Sequence, residues 1–163
     1  MRLRYRVREV ANLVNGSTPI GYLIARIGRA HPVPGPRGLW IATGYRLPFP
    51  VAGAFTVGNV ITTPHDADWL RARPELLTHE ERHTWQYVVV AGPLYFPAYA
   101  LGLLWSLART GDPASANPFE RAAGLADGGY AERPRRSPAQ TATAVRRAVS
   151  GALGRRRDAV RRP

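Results

Sequence analysis

Apolar residues come in short, interrupted runs over the first sixty or so positions and in longer helical stretches after them. The opening segment places arginines at alternate positions, Arg2, Arg4, Arg6 and Arg8. Asn12, Asn15, Gly16, Ser17 and Thr18 break up the next stretch, so no cleavable signal segment is expected. Residues 19–27 are apolar apart from Arg26 and fit a strand or a short helix equally well. Beyond a Pro/Gly-rich connection at 31–38, residues 39–45 and 54–63 predict two strands, separated by Pro48, Pro50 and Gly53. Gly58, in the middle of the second, predicts a bulge or a close backbone approach.

Helical patterning begins near Asp66, a suitable N-cap, and is clearest after Pro74, which suits a first turn. Residues 75–91 contain neither glycine nor proline and predict the longest helix. Gly92-Pro93 ends or kinks it, and a second apolar stretch runs from Pro97 to Ala108. Asn117-Pro118 supplies N-cap and first-turn signals for a short third helix that reaches Ala123 and stops before Gly124. After Gly128-Gly129 the chain turns to Pro, Ser, Ala and Arg, and no internal repeat is present. The pattern predicts an α+β domain over residues 10–130, a basic arm at 1–9 and an Arg-rich linker and tail at 131–163.

Composition narrows the function classes. At 163 residues one domain is expected, and 45% apolar residues argue against a disordered polycation. The absence of cysteine excludes disulfides, cysteine-based zinc fingers, iron–sulfur ligation and a thiol nucleophile. All 23 basic residues are arginine, and the net charge is +12. Residues 1–9 carry +3 of it and residues 132–163 carry +8, which leaves the intervening domain nearly neutral. Nucleic acid as a partner is therefore supported only at the ends. With no recognition motif beside the arginines, it is the weakest of the functional readings.

The chemistry sits in the longest helix. His79-Glu80-Glu81-Arg82-His83 satisfies His-Glu-x-x-His: two histidines four apart share one helical face and can reach one metal ion, and the glutamate beside the first can take a proton from a water there. A catalytic zinc takes three protein ligands. Glu120 lies 37 residues beyond His83 on the short third helix and can supply the third. It equally fits N3 of an Asn-x-x-Glu capping box with Asn117. Ala123, one turn on, is small enough for two helices to approach closely. Gln86 either orients a ligand or merely lies beside His83, and Asn117 is a candidate to support the ligands from behind. Tyr130 is the candidate for stabilising an oxyanion. Arg82 adds a positive charge near the site or points outward. His65, Asp66 and Asp68 form a second polar cluster, in which Asp66 reads better as a helix cap than as a ligand. Trp85, Tyr87, Tyr95, Phe96 and Tyr99 read as core or interface residues.

His79-Glu80-x-x-His83-x-x-Gln86, then Gly92-Pro93, then Asn117-Pro-Phe-Glu120-x-x-Ala123, resembles zincin-like metallopeptidases of the gluzincin type. More narrowly it is similar to their very small bacterial members, the minigluzincins, and to uncharacterised bacterial proteins with the same motif pair. The resemblance covers roughly residues 55–123. It implies a zincin-like fold, one Zn2+ held by His79, His83 and Glu120, Glu80 as general base, and a peptide or protein substrate. It further implies that the strand before the active-site helix, here within residues 54–63, lines the cleft and pairs with an extended substrate. The chain has no room for the large C-terminal subdomain of bigger peptidases.

Two segments bear on where the protein acts. From Thr84 to Ala108 there is no charged residue, a length that passes the threshold for a membrane span. Gly92-Pro93 and Pro97 interrupt the stretch, and its first third belongs to the histidine-bearing helix. A kinked, buried second helix is the favoured reading, with a membrane-inserted or re-entrant segment as the alternative. In the tail, Val145, Val149, Leu153 and Val160 recur at four or seven residues among arginines. That is the pattern of a basic amphipathic helix for an anionic membrane surface or an acidic partner. Gly151 and Gly154 weaken it, so a solvated disordered tail is the favoured reading. The expectation is a cytoplasmic zinc peptidase, with an anionic membrane surface as a candidate partner of the tail. The alternative is a zinc-stabilised, non-catalytic scaffold.

Overall fold

The computed structural model describes residues 2–160. In chain order it consists of α1 (Leu3–Val14), α2 (Ser17–Ile27), β1 (His31–Pro34), β2 (Trp40–Thr43), β3 (Phe55–Val57), β4 (Val60–Thr62), α3 (Ala67–Arg71), α4 (Pro74–Val89), α5 (Tyr95–Thr110), α6 (Pro118–Ala123) and α7 (Pro138–Val160). The α+β class is met directly by this element order.

The four strands form one sheet in the order β1-β2-β4-β3. The β1–β2 and β3–β4 pairs are antiparallel and the β2–β4 pair is parallel, with Trp40 opposite Val60 and Ile41 opposite Ile61. Successive residues of a strand point to opposite faces, and the two faces meet different helices. Ala42 and Val60 join Ala25 on one side, under Tyr22 and Ile24 of α2. Ile41 and Ile61 join Leu39, Ala54 and Leu70 on the other, under Trp69, Leu76 and Leu77 of α3 and α4. Burial on both faces is why these strands read as unbroken apolar runs.

One open reading is resolved and two local expectations change. Residues 19–27 lie in a helix, because one side of α2 is needed to cover the sheet. Residues 54–63 are not one strand but a hairpin, with β3 and β4 folded against each other at Gly58-Asn59. Gly58 sits at φ +61°, and a Cβ there would lie 2.4 Å from the Thr18 nitrogen, so the close approach is real but it makes a turn. The first nine residues, read as a basic arm, are helical from Leu3, and Arg8 among them is fully buried.

What holds α1 in place is polar. Arg8 pairs with Glu81 at 2.9 Å, and the Asn12 amide donates to Asn59 Oδ1 at 2.9 Å and to the Thr84 carbonyl at 2.8 Å. Asn59 accepts that bond while its own backbone N–H donates to the Thr18 hydroxyl, which ties the hairpin turn to the start of α2.

Pro74 occupies the first turn of α4, and Ala91 and Gly92, both at positive φ, end it. The chain then bends by 112° into α5. Among the described residues no single helix is long and apolar enough to cross a membrane; only this bent pair taken together reaches the required length and composition. The inner side of α5 carries Tyr95, Gly102 and Ser106, so the helix is only half covered. The tail forms α7, tethered by the Arg136 backbone N–H to the Arg109 carbonyl at 2.7 Å. Arg161 and Arg162, and the side chains of Val149, Leu153 and Val160 on which the tail stripe depends, lie outside the described residues.

Candidate metal centre

Helix α4 places His79 and His83 one turn apart on the side facing α6, and α6 brings Glu120 to meet them. All three side chains are buried. The Nε2 atoms of the two histidines stand 3.0 Å apart, and Glu120 Oε2 lies 3.2 Å from one and 3.7 Å from the other. Three ligands on a tetrahedral ion at about 2.0–2.1 Å would lie about 3.3 Å from each other, a value inside this range.

The outer hydrogen bonds decide what those atoms present. His79 Nδ1 lies 2.9 Å from the Gly124 carbonyl, which can only accept, so Nδ1 carries the hydrogen and Nε2 presents a lone pair. His83 Nδ1 lies 2.8 Å from Gln86 Oε1, and the Gln86 amide is oriented by donating to the Phe119 carbonyl at 2.9 Å. His83 Nε2 therefore presents a lone pair too. Glu120 Oε2 is buried and has no hydrogen-bond donor. Three acceptor atoms converge there, an arrangement that a cation stabilises. The donor set fits a metal ion, and without one a proton takes its place.

The electrostatics agree. Burial works against charge on Glu120, but with a proton in the ion's place hydrogen bonding from His79 and His83 outweighs it and holds the carboxyl far below its usual range. At His83 burial also opposes charge, and Glu120 and Glu80 together raise its affinity for a proton. The Glu80 carboxyl is pushed up by burial, against the pull of His83 and of the Thr56 hydroxyl, which donates to Oε2 at 2.7 Å.

Of the two readings for Glu120, the structure favours the metal cluster. Asn117 caps α6 by accepting from the Phe119 N–H at 3.1 Å, but its own N–H goes to the Ala114 carbonyl, so no reciprocal box forms. Asn117 is buried beneath α6 and touches none of the three clustered side chains by hydrogen bond. Ala123 is fully buried, as a close approach of the two helices requires. Arg82 points neither into the site nor freely outward: it donates to the Ala123 carbonyl at 2.6 Å and pairs with Asp127, clamping residues 124–130 over α4. In that loop a Cβ on Gly128 would lie 2.6 Å from His79 Cε1.

Glu80 and Tyr130 both line a cleft of about 500 Å³, together with Ala54, Trp69, Arg73 and Glu75. The Tyr130 ring is 5.9 Å from that of His79, and burial, helped by Glu120, keeps its hydroxyl protonated. In the second polar cluster the side chains are engaged locally. Asp66 caps α3 by accepting from the Trp69 N–H at 2.8 Å, Asp68 pairs with Arg71, and His65 stacks on Trp69.

Sequence reasoning missed Tyr95, Tyr99 and Thr56. The Tyr99 hydroxyl donates to Glu120 Oε1 at 2.5 Å, and the Tyr95 hydroxyl donates to Gln86 Oε1 at 3.1 Å and lies 3.0 Å from His83 Nδ1. Their spacing of four in an otherwise apolar helix, each with one polar atom, was the available signal. Thr56 gave none. Comparisons of the chain with protein-family models, curated proteins and solved structures find no match.

Proposed function

We propose that the chain is a zinc-dependent peptidase of the gluzincin type, with a zincin-like fold. The observation that carries the reading is the convergence of the buried His79, His83 and Glu120, their ligand atoms within 4.8 Å of one another, next to a cleft lined by Glu80. Three protein ligands leave a tetrahedral ion one open position, as catalytic zinc requires. Zinc, when bound, supplies Lewis acidity to a water and to the scissile carbonyl. Glu80 accepts the water's proton and returns it to the leaving amine, and Thr56 fixes the carboxylate that does so. Tyr130, held protonated, donates to the oxygen that gains charge. Tyr99, Gln86 and the Gly124 carbonyl hold the three ligands in orientation. The free edge of β3, which has a neighbour only on the β4 side, is the place for an extended peptide substrate.

A second reading, a zinc-stabilised scaffold without turnover, is favoured by the burial of all three ligands and by Gly128 lying against the His79 ring. Wild type, Glu80→Gln and Glu120→Ala, compared for bound zinc and for hydrolysis of a broad peptide library, separate the two. The peptidase requires that Glu80→Gln keep zinc and lose hydrolysis and that Glu120→Ala lose zinc. Zinc-loaded wild type that cleaves nothing in the library supports the scaffold.

A further inference from the structure

Helix α1 is inside out. The side turned to the protein carries the fully buried Arg8 and Asn12, whereas the side turned to solvent carries Leu3, Val7, Val10 and Val14, which are 77, 53, 58 and 81% exposed. Their spacing of four, three and four makes one continuous apolar stripe. Helix α5 does the same on a larger scale: Leu101, Leu104 and Trp105 on its outer side are 68, 60 and 56% exposed. The end of α1 lies against the turn that starts α5. The Asn15 amide, one residue past α1, donates to the Tyr87 carbonyl at 3.3 Å, and a Cβ on Gly92, just before α5, would lie 2.7 Å from Asn15 Cγ. Apolar surface of this extent is unusual on a monomer and marks a contact with something apolar.

Charge identifies what covers it. Helices α1, α2 and α5 contain one acidic residue between them, Glu9, while Arg2, Arg4, Arg6 and Arg26 stand exposed. At 100° per residue Arg4 and Arg6 fall on opposite flanks of the α1 stripe. A second copy of the chain would bring the same arginines, and a net charge of +12, against themselves. A surface that is apolar below and anionic above satisfies both features. At 12 and 16 residues the helices are about 18 and 24 Å long, too short to span a hydrocarbon core. We propose that α1 and α5 dock the protein on an anionic lipid bilayer, lying in its interfacial plane, with the arginines at headgroup level. The buried polar side of α1 then has a reason: it leaves the apolar side free for lipid.

The test is flotation of the full chain with vesicles of phosphatidylcholine alone and of phosphatidylcholine with phosphatidylglycerol at three to one. Binding to the anionic vesicles should be at least about tenfold stronger. Val7→Ser with Val10→Ser should weaken it by at least about tenfold, as should Leu101→Ser with Leu104→Ser. Both pairs are exposed, so each variant is checked for an unchanged thermal melt; if one fails that check, the other decides. Trp105 emission should shift to the blue on adding anionic vesicles. Absence of binding, or binding that neither serine pair weakens, overturns the proposal; so does a concentration-dependent dimer that the serine pairs abolish while vesicles are ignored. None of these readouts involves the metal centre, so their failure is separable from failure of the peptidase reading.

Discussion

At the scale of single residues, the metal centre depends on atoms that are not themselves ligands. Tyr99 holds Glu120 through one carboxylate oxygen and leaves the other facing the two histidines. Tyr99→Phe should therefore lower zinc affinity by roughly 10- to 100-fold while leaving the fold intact, which a competitive zinc titration would show. Gly128→Ala forces a methyl group into the His79 ring; since that contact would be 2.6 Å, either the loop or the histidine must move. We expect a loss of about 1–3 kcal/mol in stability and weaker zinc binding, read by urea unfolding and by the same titration. On the proposed peptidase reading, Glu80→Gln keeps the acceptor for Thr56, so it should retain zinc and fold as wild type while hydrolysis falls by roughly 10²–10⁴-fold. His83 binds a proton more tightly than an ordinary histidine, so proton and zinc compete for one place. Zinc affinity should fall as pH is lowered, by about tenfold per unit once His83 takes up its proton.

At the scale of elements, the helices that bear His79, His83 and Glu120 were legible, as were β2, α3 and α5, whereas the hairpin and α1 were not. The Pro74 start of α4, the Gly92-Pro93 break and the Asn117-Pro118 start of α6 follow local rules of φ and capping, which a sequence displays openly. The hairpin at Gly58 was misread because one glycine in a β-branched run fits a bulge and a turn alike; the choice is made by Thr18, far off in sequence. Helix α1 was illegible for a deeper reason: its inward residues are polar, opposite to the usual amphipathic pattern, so periodicity points the wrong way. Asn12→Ala tests that account. It removes the donor to Asn59 and Thr84 and leaves both acceptors buried, with an expected cost of about 1–3 kcal/mol in urea unfolding. The turn after α5 carries a pH signature. Burial opposes the Asp112 charge, but donors from Ser115 and Ala114 outweigh it and hold the carboxyl below its usual value. Its contribution is present above the unfolded carboxylate value of about 3.9 and is lost as pH falls through the lower folded value, so Asp112→Asn should flatten the acid limb of a stability curve.

At the scale of the whole molecule, charge and chemistry are divided. The +12 sits mostly at the two ends, while the centre between α4 and α6 works with a few buried carboxylates and imidazoles. The two ends behave differently: the first is built into the fold through Arg8, and the second continues as α7, tethered at its start to the end of α5. Because zinc would bind the folded chain far better than the unfolded one, at a hundredfold excess over its dissociation constant it should add about 2.7 kcal/mol of stability, and a chelator should remove that gain. The most direct measurement is the zinc content of the purified chain after zinc-replete dialysis, beside Glu120→Ala. One zinc per chain in the wild type, and little or none in the variant at equal fold content, is the expected result. A metal-free wild type, or equal zinc in both proteins, would contradict the site.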